Sequence, residues 1–348
     1  MSELTDRAVP RDSIVLVTGA NGFLGSHISD QFLHYGYRVR GTVRNLEKNA
    51  WLKRHFEEKY GAGRFELVEV ADMATEKAFH AVVKGVSIVA HTASVVSLDP
   101  NPNNTIPVVI SGSLNALKAA YDEPSVQRFI CTSSSASVYN PLDEPDDKVT
   151  QDTWNEVAIR EAWKEPPYEP ERGMMAYAAG KAQAEKEIWQ FHKERRHERA
   201  DLVVNTSEQP LDQRRLSRPL DPVNQGYTST SAFIPLLCKG ATMPMHPFFP
   251  RQYFIHVQDT GRLHVAAAIL STVKDERIFA FAGRFSWDRV LSILREARST
   301  RSFLNDFSGG DDPHEIQGRE KAENLLRVLG RPGWTSLEES VADNIRDL

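Results

Sequence analysis

Tyr177 and Lys181 stand four residues apart in the run Tyr177-Ala178-Ala179-Gly180-Lys181. On a helix that spacing puts both side chains on one face, about 5–6 Å apart at Cβ. A phenol with an ordinary pKa near ~10 can protonate a nascent alkoxide but gives up its proton slowly. A neighbouring ammonium stabilises the phenolate and draws the pKa toward working pH. Taken alone, such a pair is also what a solvated helix face offers. Upstream lies a hydroxyl-rich run, Thr132-Ser133-Ser134-Ser135-Ala136-Ser137, directly after an apolar stretch. One serine there can hold a substrate oxygen beside the tyrosine, while the others serve as turn hydroxyls.

A second constellation opens the chain. Thr18-Gly19-Ala20-Asn21-Gly22-Phe23-Leu24-Gly25 follows the apolar run Ile14-Val15-Leu16-Val17 and precedes an amphipathic stretch. Glycines every third residue between strand and helix form a variant of the dinucleotide fingerprint. Gly19 permits the tight turn, Gly22 lets backbone amides approach a pyrophosphate, and Gly25 lets helix and strand pack closely. The helix start, Asn21 to Leu24, then faces the phosphates with N–H donors and a positive dipole end. NAD enzymes carry an acid at the end of the second strand. Here that strand reads Val39-Arg40-Gly41-Thr42-Val43-Arg44. Arg44 instead suits the 2′-phosphate of NADP(H).

Positioning these groups requires alternating elements. Strands are expected at 14–17, 38–43, 65–70, 86–91, 129–132 and 201–205, with helices at 22–35, 46–60, 107–121 and 176–198. Pro107 is expected in the first turn of its helix. Apolar strands alternating with helices predict an α/β fold, a doubly wound parallel sheet of Rossmann type. The chain is expected to divide into 1–205, which binds the dinucleotide and carries the Tyr-Lys helix, and 206–348, a smaller substrate lobe. Part of the second segment is expected to return to the sheet. Two more helices are expected at 259–272 and 287–298, and Val95 to Leu98, Tyr139, Tyr227 and Phe233 are candidate pocket linings.

The 348 residues carry a formal net charge of −5, with 41% hydrophobic and 26% charged residues, as in an ordinary globular protein. Nothing here resembles a nucleic-acid surface, which concentrates positive charge. No apolar run reaches the ~18 residues of a membrane span. The two cysteines, Cys131 and Cys238, lack metal spacing and cannot build a disulfide framework. With no signal-peptide pattern at the start, the expected location is cytoplasmic, the expected state a monomer or homodimer, and no metal is expected.

Together these stretches resemble the extended short-chain dehydrogenase/reductases, in the branch of dihydroflavonol reductases, cinnamoyl-CoA reductases and fungal aldehyde and ketone reductases. Ala90-His91-Thr92-Ala93-Ser94 and Phe254-Ile255-His256-Val257-Gln258-Asp259 add to the likeness, which spans nearly the whole chain. The resemblance implies an NADP(H)-dependent reductase of a small carbonyl compound with a Ser134–Tyr177–Lys181 site, Ser133 and Ser135 being near alternatives. It further implies that Lys181 binds the nicotinamide ribose, that Asp72 meets the adenine amine, and that Ala93 and Ser94 pass beside the cofactor. An epimerase/dehydratase, a sterol-type dehydrogenase and a non-catalytic NADP-binding regulator are the alternatives. One stretch departs. The family usually carries a Pro-Asn or similar pair after the sixth strand, whereas Val204-Asn205-Thr206-Ser207-Glu208 lacks the proline, and the polar run continues to Pro219. The departure reads either as an altered splice or reading frame or as a tolerated surface loop.

Overall fold

The computed structural model describes residues 7–141, 148–210, 215–227, 232–242, 246 and 251–348. Six strands and five α-helices, mostly in alternation, make up its first part. They are β1 (Ile14–Thr18), α1 (Phe23–His34), β2 (Arg38–Val43), α2 (Ala50–Tyr60), β3 (Phe65–Glu69), β4 (Ile88–His91), α3 (Pro102–Asp122), β5 (Arg128–Thr132), α4 (Glu156–Ala162), α5 (Arg172–Arg195) and β6 (Val203–Glu208). Then come β7 (Arg215–Leu216), β8 (Arg251–His256), β9 (Arg277–Phe279) and β10 (Gly283–Ser286). Seven strands form one sheet in the order β3-β2-β1-β4-β5-β6-β9, every pairing parallel. This is the doubly wound arrangement, and β9 is the part of the later chain that returns to it. β8 pairs with β10 and β7 in a separate three-stranded sheet.

Both faces of the central strands are covered; β4 and β5 are largely apolar, whereas β6 is polar from Asn205 to Glu208. All of β4, β5 and β6 is buried, as parallel sheets require. α1 is buried along eleven of its twelve positions because it lies between the sheet and the helix Val257–Ile269. Gly261 permits that approach: a Cβ there would stand 3.1 Å from the His27 carbonyl and 2.7 Å from the Gln31 side chain. Ile28, Phe32, Leu263 and Val265 close the layer, each large apolar side chain contributing about 1.5–3 kcal/mol by leaving water.

Two of the differences from the sequence expectation have a clear physical cause. α3 begins at Pro102, not near Pro107, because Asn101 caps it by accepting the Asn103 N–H at 3.1 Å, and Pro102 occupies the first turn. Pro107 therefore sits inside the helix, where it lacks one backbone donor. β6 runs to Glu208, three residues beyond the expected end. Thr206, Ser207, Glu208 and Gln209 are fully buried, which corrects the surface-loop reading of this part of the departing stretch. Residues 211–214 of that stretch lie outside the described residues.

Candidate active site

The turn after β1 is built for close backbone approach. Gly19 has φ +65°, which favours glycine, and a Cβ on it would lie 3.2 Å from the Ala93 backbone. A methyl on Gly25 would overlap the Gly19 carbonyl, and one on Gly22 would stand 3.3 Å from the same oxygen. Thr18 Oγ1 accepts the N–H groups of Thr92 (2.9 Å) and Ala93 (3.0 Å) and pairs with His91 Nδ1 at 3.0 Å. One hydroxyl thus locks the glycine turn to the Ala93–Ser94 loop. Gly22 caps α1 without any side-chain hydrogen bond, so the first amides of that helix face outward as donors. Ser94 Oγ is buried and has no hydrogen-bond partner. A glycine cradle, an uncapped helix start and an orphaned hydroxyl fit a dinucleotide. Arg44 is exposed at the end of β2 with no acid on that strand. Asp72, also exposed, accepts the Ala74 N–H at 2.9 Å and caps its own turn.

The hydroxyl run follows β5. Ser134 is fully buried, with extended backbone (φ −148°, ψ 151°), and its Oγ accepts the Ala136 N–H at 3.2 Å. Accepting there leaves its own O–H to donate. Ser133 Oγ instead meets the carboxylate of Glu185, and Ser137 Oγ lies 2.9 Å from the same Glu185 oxygen. Ser135 donates its backbone N–H to the Gln209 carbonyl at 2.6 Å.

α5 brings Tyr177 and Lys181 to this loop. Tyr177 is 7% exposed and packs with Ala136 and Ala158. The Lys181 charge reaches the ends of β4 and β5: burial, with the ammonium adding to it, pushes His91 down to about 3. Burial pushes the Cys131 thiol up to about 12, which the same ammonium partly offsets. His91 is therefore neutral and Cys131 an inert thiol at neutral pH. Val96 and Leu98, 61% and 49% exposed, flank the loop beyond Ser94. Phe233 does not line the site: it stacks on Trp287, ring centroids 5.8 Å apart, in the main core. Tyr139 packs against His314 and Phe281.

Beneath the serine loop is a group that the motifs did not reveal. Glu185 and Glu208 share one guanidinium, Arg277, whose Nε lies 2.7 Å and 3.5 Å from them. All three side chains are at most 8% exposed. Burial would lift the Glu185 carboxyl, but Arg277 and the surrounding donors hold it below the usual carboxylate range. Burial and the Glu185 charge push Glu208 well above it. The available signal was spacing, since Glu185 continues the face of Tyr177 and Lys181 by one more turn.

A doubly wound sheet with a glycine turn after β1, a serine loop after β5 and a Tyr-x-x-x-Lys helix defines an extended short-chain dehydrogenase/reductase scaffold. Residues 15–198 match the NAD dependent epimerase/dehydratase family, and the chain belongs to it. It is 36% identical to aldehyde reductase 2 of Sporidiobolus salmonicolor over 346 residues, covering 99% of this chain and 98% of the relative. It is 35% identical to the ketoreductase adrE of Penicillium rubens over 352 residues, with 99% of each chain covered. In fold it is similar to the yeast methylglyoxal/isovaleraldehyde reductase Gre2, solved with NADPH, with a TM-score of 0.78, 22% identity and 96% and 97% of the two chains covered. Among the described residues no helix is long and apolar enough to cross a membrane, and no group of side chains is placed to hold a metal ion.

Proposed function

We propose that this chain reduces an aldehyde or ketone to the alcohol with NADPH, and that Tyr177, Lys181 and Ser134 carry out the protein's share of the chemistry. The observation that carries the reading is the convergence of the serine loop, the Tyr177–Lys181 face of α5 and the Ala93–Ser94 loop at the carboxyl ends of β1, β4 and β5, where open α/β sheets bind ligands. Relatives named as aldehyde and ketone reductases over their full length support the same chemistry.

Gly19, Asn21, Gly22, Phe23, Leu24 and Gly25 hold the pyrophosphate, Arg44 the 2′-phosphate, and Asp72, Ala93 and Ser94 flank the adenine and nicotinamide halves. NADPH, when bound, supplies the hydride that goes to the carbonyl carbon. Ser134 donates its O–H to the carbonyl oxygen and orients it. Tyr177 passes its phenolic proton to that oxygen as charge develops there, and Lys181 stabilises the phenolate left behind. The exposed Val96 and Leu98 favour an apolar small-molecule substrate. The protein works as a monomer or homodimer, and in the cytoplasm, the location in keeping with its two buried free thiols.

The test is NADPH oxidation, followed by near-ultraviolet absorbance, against a panel of aromatic and aliphatic aldehydes and ketones, with NADH as control. Turnover with NADPH that falls by about 10²-fold or more in Tyr177→Phe, with NADPH binding retained, is the expected result. Tight NADPH binding without turnover on any carbonyl overturns the reading in favour of a cofactor-sensing regulator.

A further inference from the structure

The buried Glu185–Arg277–Glu208 group lies under the serine loop and belongs to none of the steps above. Burying charge is costly, and apolar side chains of similar volume could join α5 to the sheet at least as well. The arrangement of contacts shows what an acid achieves here that a leucine could not. Glu185 Oε2 takes Ser133 Oγ and Ser137 Oγ, the hydroxyls on either side of Ser134. Ser137 Oγ also lies 2.7 Å from the Ser134 carbonyl. The other oxygen, Oε1, takes Arg277 Nε at 2.7 Å and the Thr206 hydroxyl at 3.2 Å.

Arg277 is fixed in turn. Its Nη1 donates to the carbonyls of Gln151 and Thr153, and its Cζ stands 3.8 Å above the Trp154 ring. Thr206 Oγ1 also lies 2.7 Å from Glu208 Oε1. One carboxylate on the catalytic helix therefore holds both flanks of the loop that presents Ser134, and β6, β9 and the Gln151–Trp154 segment hold that carboxylate.

We propose that Glu185 is a positioning residue for the reductase reaction: it fixes the Ser134 loop in register with Tyr177 and Lys181 on its own helix, through Ser133 and Ser137. The inference rests on the reductase reading for its kinetic consequence and on the geometry alone for its structural one. Charge counting makes it testable without unfolding the chain. Two carboxylates face one guanidinium, so when Glu185 becomes neutral, Glu208 can ionise and still balance Arg277.

The experiment compares Glu185→Ala, Glu185→Gln, the pair Ser133→Ala/Ser137→Ala and the triple variant Glu185→Ala/Ser133→Ala/Ser137→Ala in the full chain. The readouts are kcat and KM for a carbonyl substrate, NADPH affinity by fluorescence, and amide hydrogen exchange of the peptide covering 133–139. Misplacing a reacting group by about 1 Å costs up to ~10²-fold. Glu185→Ala and the serine pair should therefore each lower kcat by about 10-fold or more. NADPH affinity should stay within about twofold, and exchange in 133–139 should rise.

The triple variant should be no slower than either parent, since all of them remove the same contact. Glu185→Gln keeps an acceptor for the two hydroxyls and should recover much of the loss. Folded variants with wild-type kcat and wild-type exchange overturn the proposal, as do additive losses in the triple variant. Should the alanine variant at 185 fail to fold, the serine pair decides alone, by the same two readouts. If the wild type reduces no carbonyl, the reductase reading fails, and exchange in 133–139 still decides whether Glu185 anchors the loop.

Discussion

Replacing Glu208 with glutamine tests the buried group through stability. Burial and the Glu185 charge raise the Glu208 carboxyl well above its ordinary value of 4.5. The folded protein therefore keeps a proton on Glu208 at pH values where the unfolded chain has lost it. The folded state then binds more protons than the unfolded state, so stability falls as pH rises. This contribution is fully present below the unfolded value, near 4.5, and is lost progressively as pH climbs toward the raised folded value. One proton is worth slightly more than about 1 kcal/mol per pH unit within that window. At about 2 cal/mol/K of unfolding entropy per residue, a chain of 348 residues converts that into roughly 2 °C of midpoint per pH unit. Glu208→Gln has no proton to lose and keeps the Glu185–Arg277 pair. Its melting midpoint minus that of the wild type should therefore widen by about 2 °C per pH unit upward from pH 5, read by calorimetry or circular dichroism. A difference that stays constant to within about 1 °C between pH 5 and 8 would refute a proton retained on Glu208.

The double variant Glu185→Gln/Glu208→Gln leaves Arg277 buried without a counter-charge and should lose about 3–5 kcal/mol in denaturant unfolding, far more than the two single variants together. Arg44→Ala should weaken NADPH binding by about 1.5–3 kcal/mol, the worth of hydrogen bonds to a charged group, while leaving NADH binding unchanged in the same fluorescence titration. Gly25→Ala places a methyl against the Gly19 carbonyl and should abolish measurable NADPH affinity. Ser134→Ala removes a donor to the developing alkoxide and should lower kcat by about 10²-fold or more with little change in NADPH affinity, read by steady-state kinetics.

The features legible in the sequence were those written in local spacing. The apolar run Ile14–Val17, the glycines three apart and the Tyr-x-x-x-Lys pair are each complete within a few residues, and each lands where its period predicts. Elements set by capping were harder to place. The start of α3 depends on Asn101 accepting the Asn103 N–H, and the proline at 107 drew attention to the wrong turn. Long-range pairs left almost no trace. Glu185 and Arg277 are 92 positions apart, and neither stands in a motif. The expected pocket lining failed at Phe233 for a related reason. Its aromatic character was visible, but its burial against Trp287 depends on a helix that begins more than fifty residues later.

The departing stretch after Asn205 shows what the serine loop requires from its neighbour strand. Ser133 donates its backbone N–H to the Ser207 carbonyl at 2.9 Å, and Ser135 donates to the Gln209 carbonyl. Both supports are main-chain acceptors, which nearly any residue can provide while the strand stays in register. Register is where side chains enter. Residues alternate between the two faces of a strand, so Thr206 and Glu208 share one face and Ser207 and Gln209 the other. Glu208 meets Arg277, and Gln209 Oε1 accepts the Thr260 hydroxyl at 2.9 Å. A polar run that first looks unfit for a sheet interior is thus matched on both faces. The backbone acceptors of β6 hold the loop that presents Ser134, and Arg277, which pairs with Glu185 on α5, lies 3.5 Å from the buried Glu208.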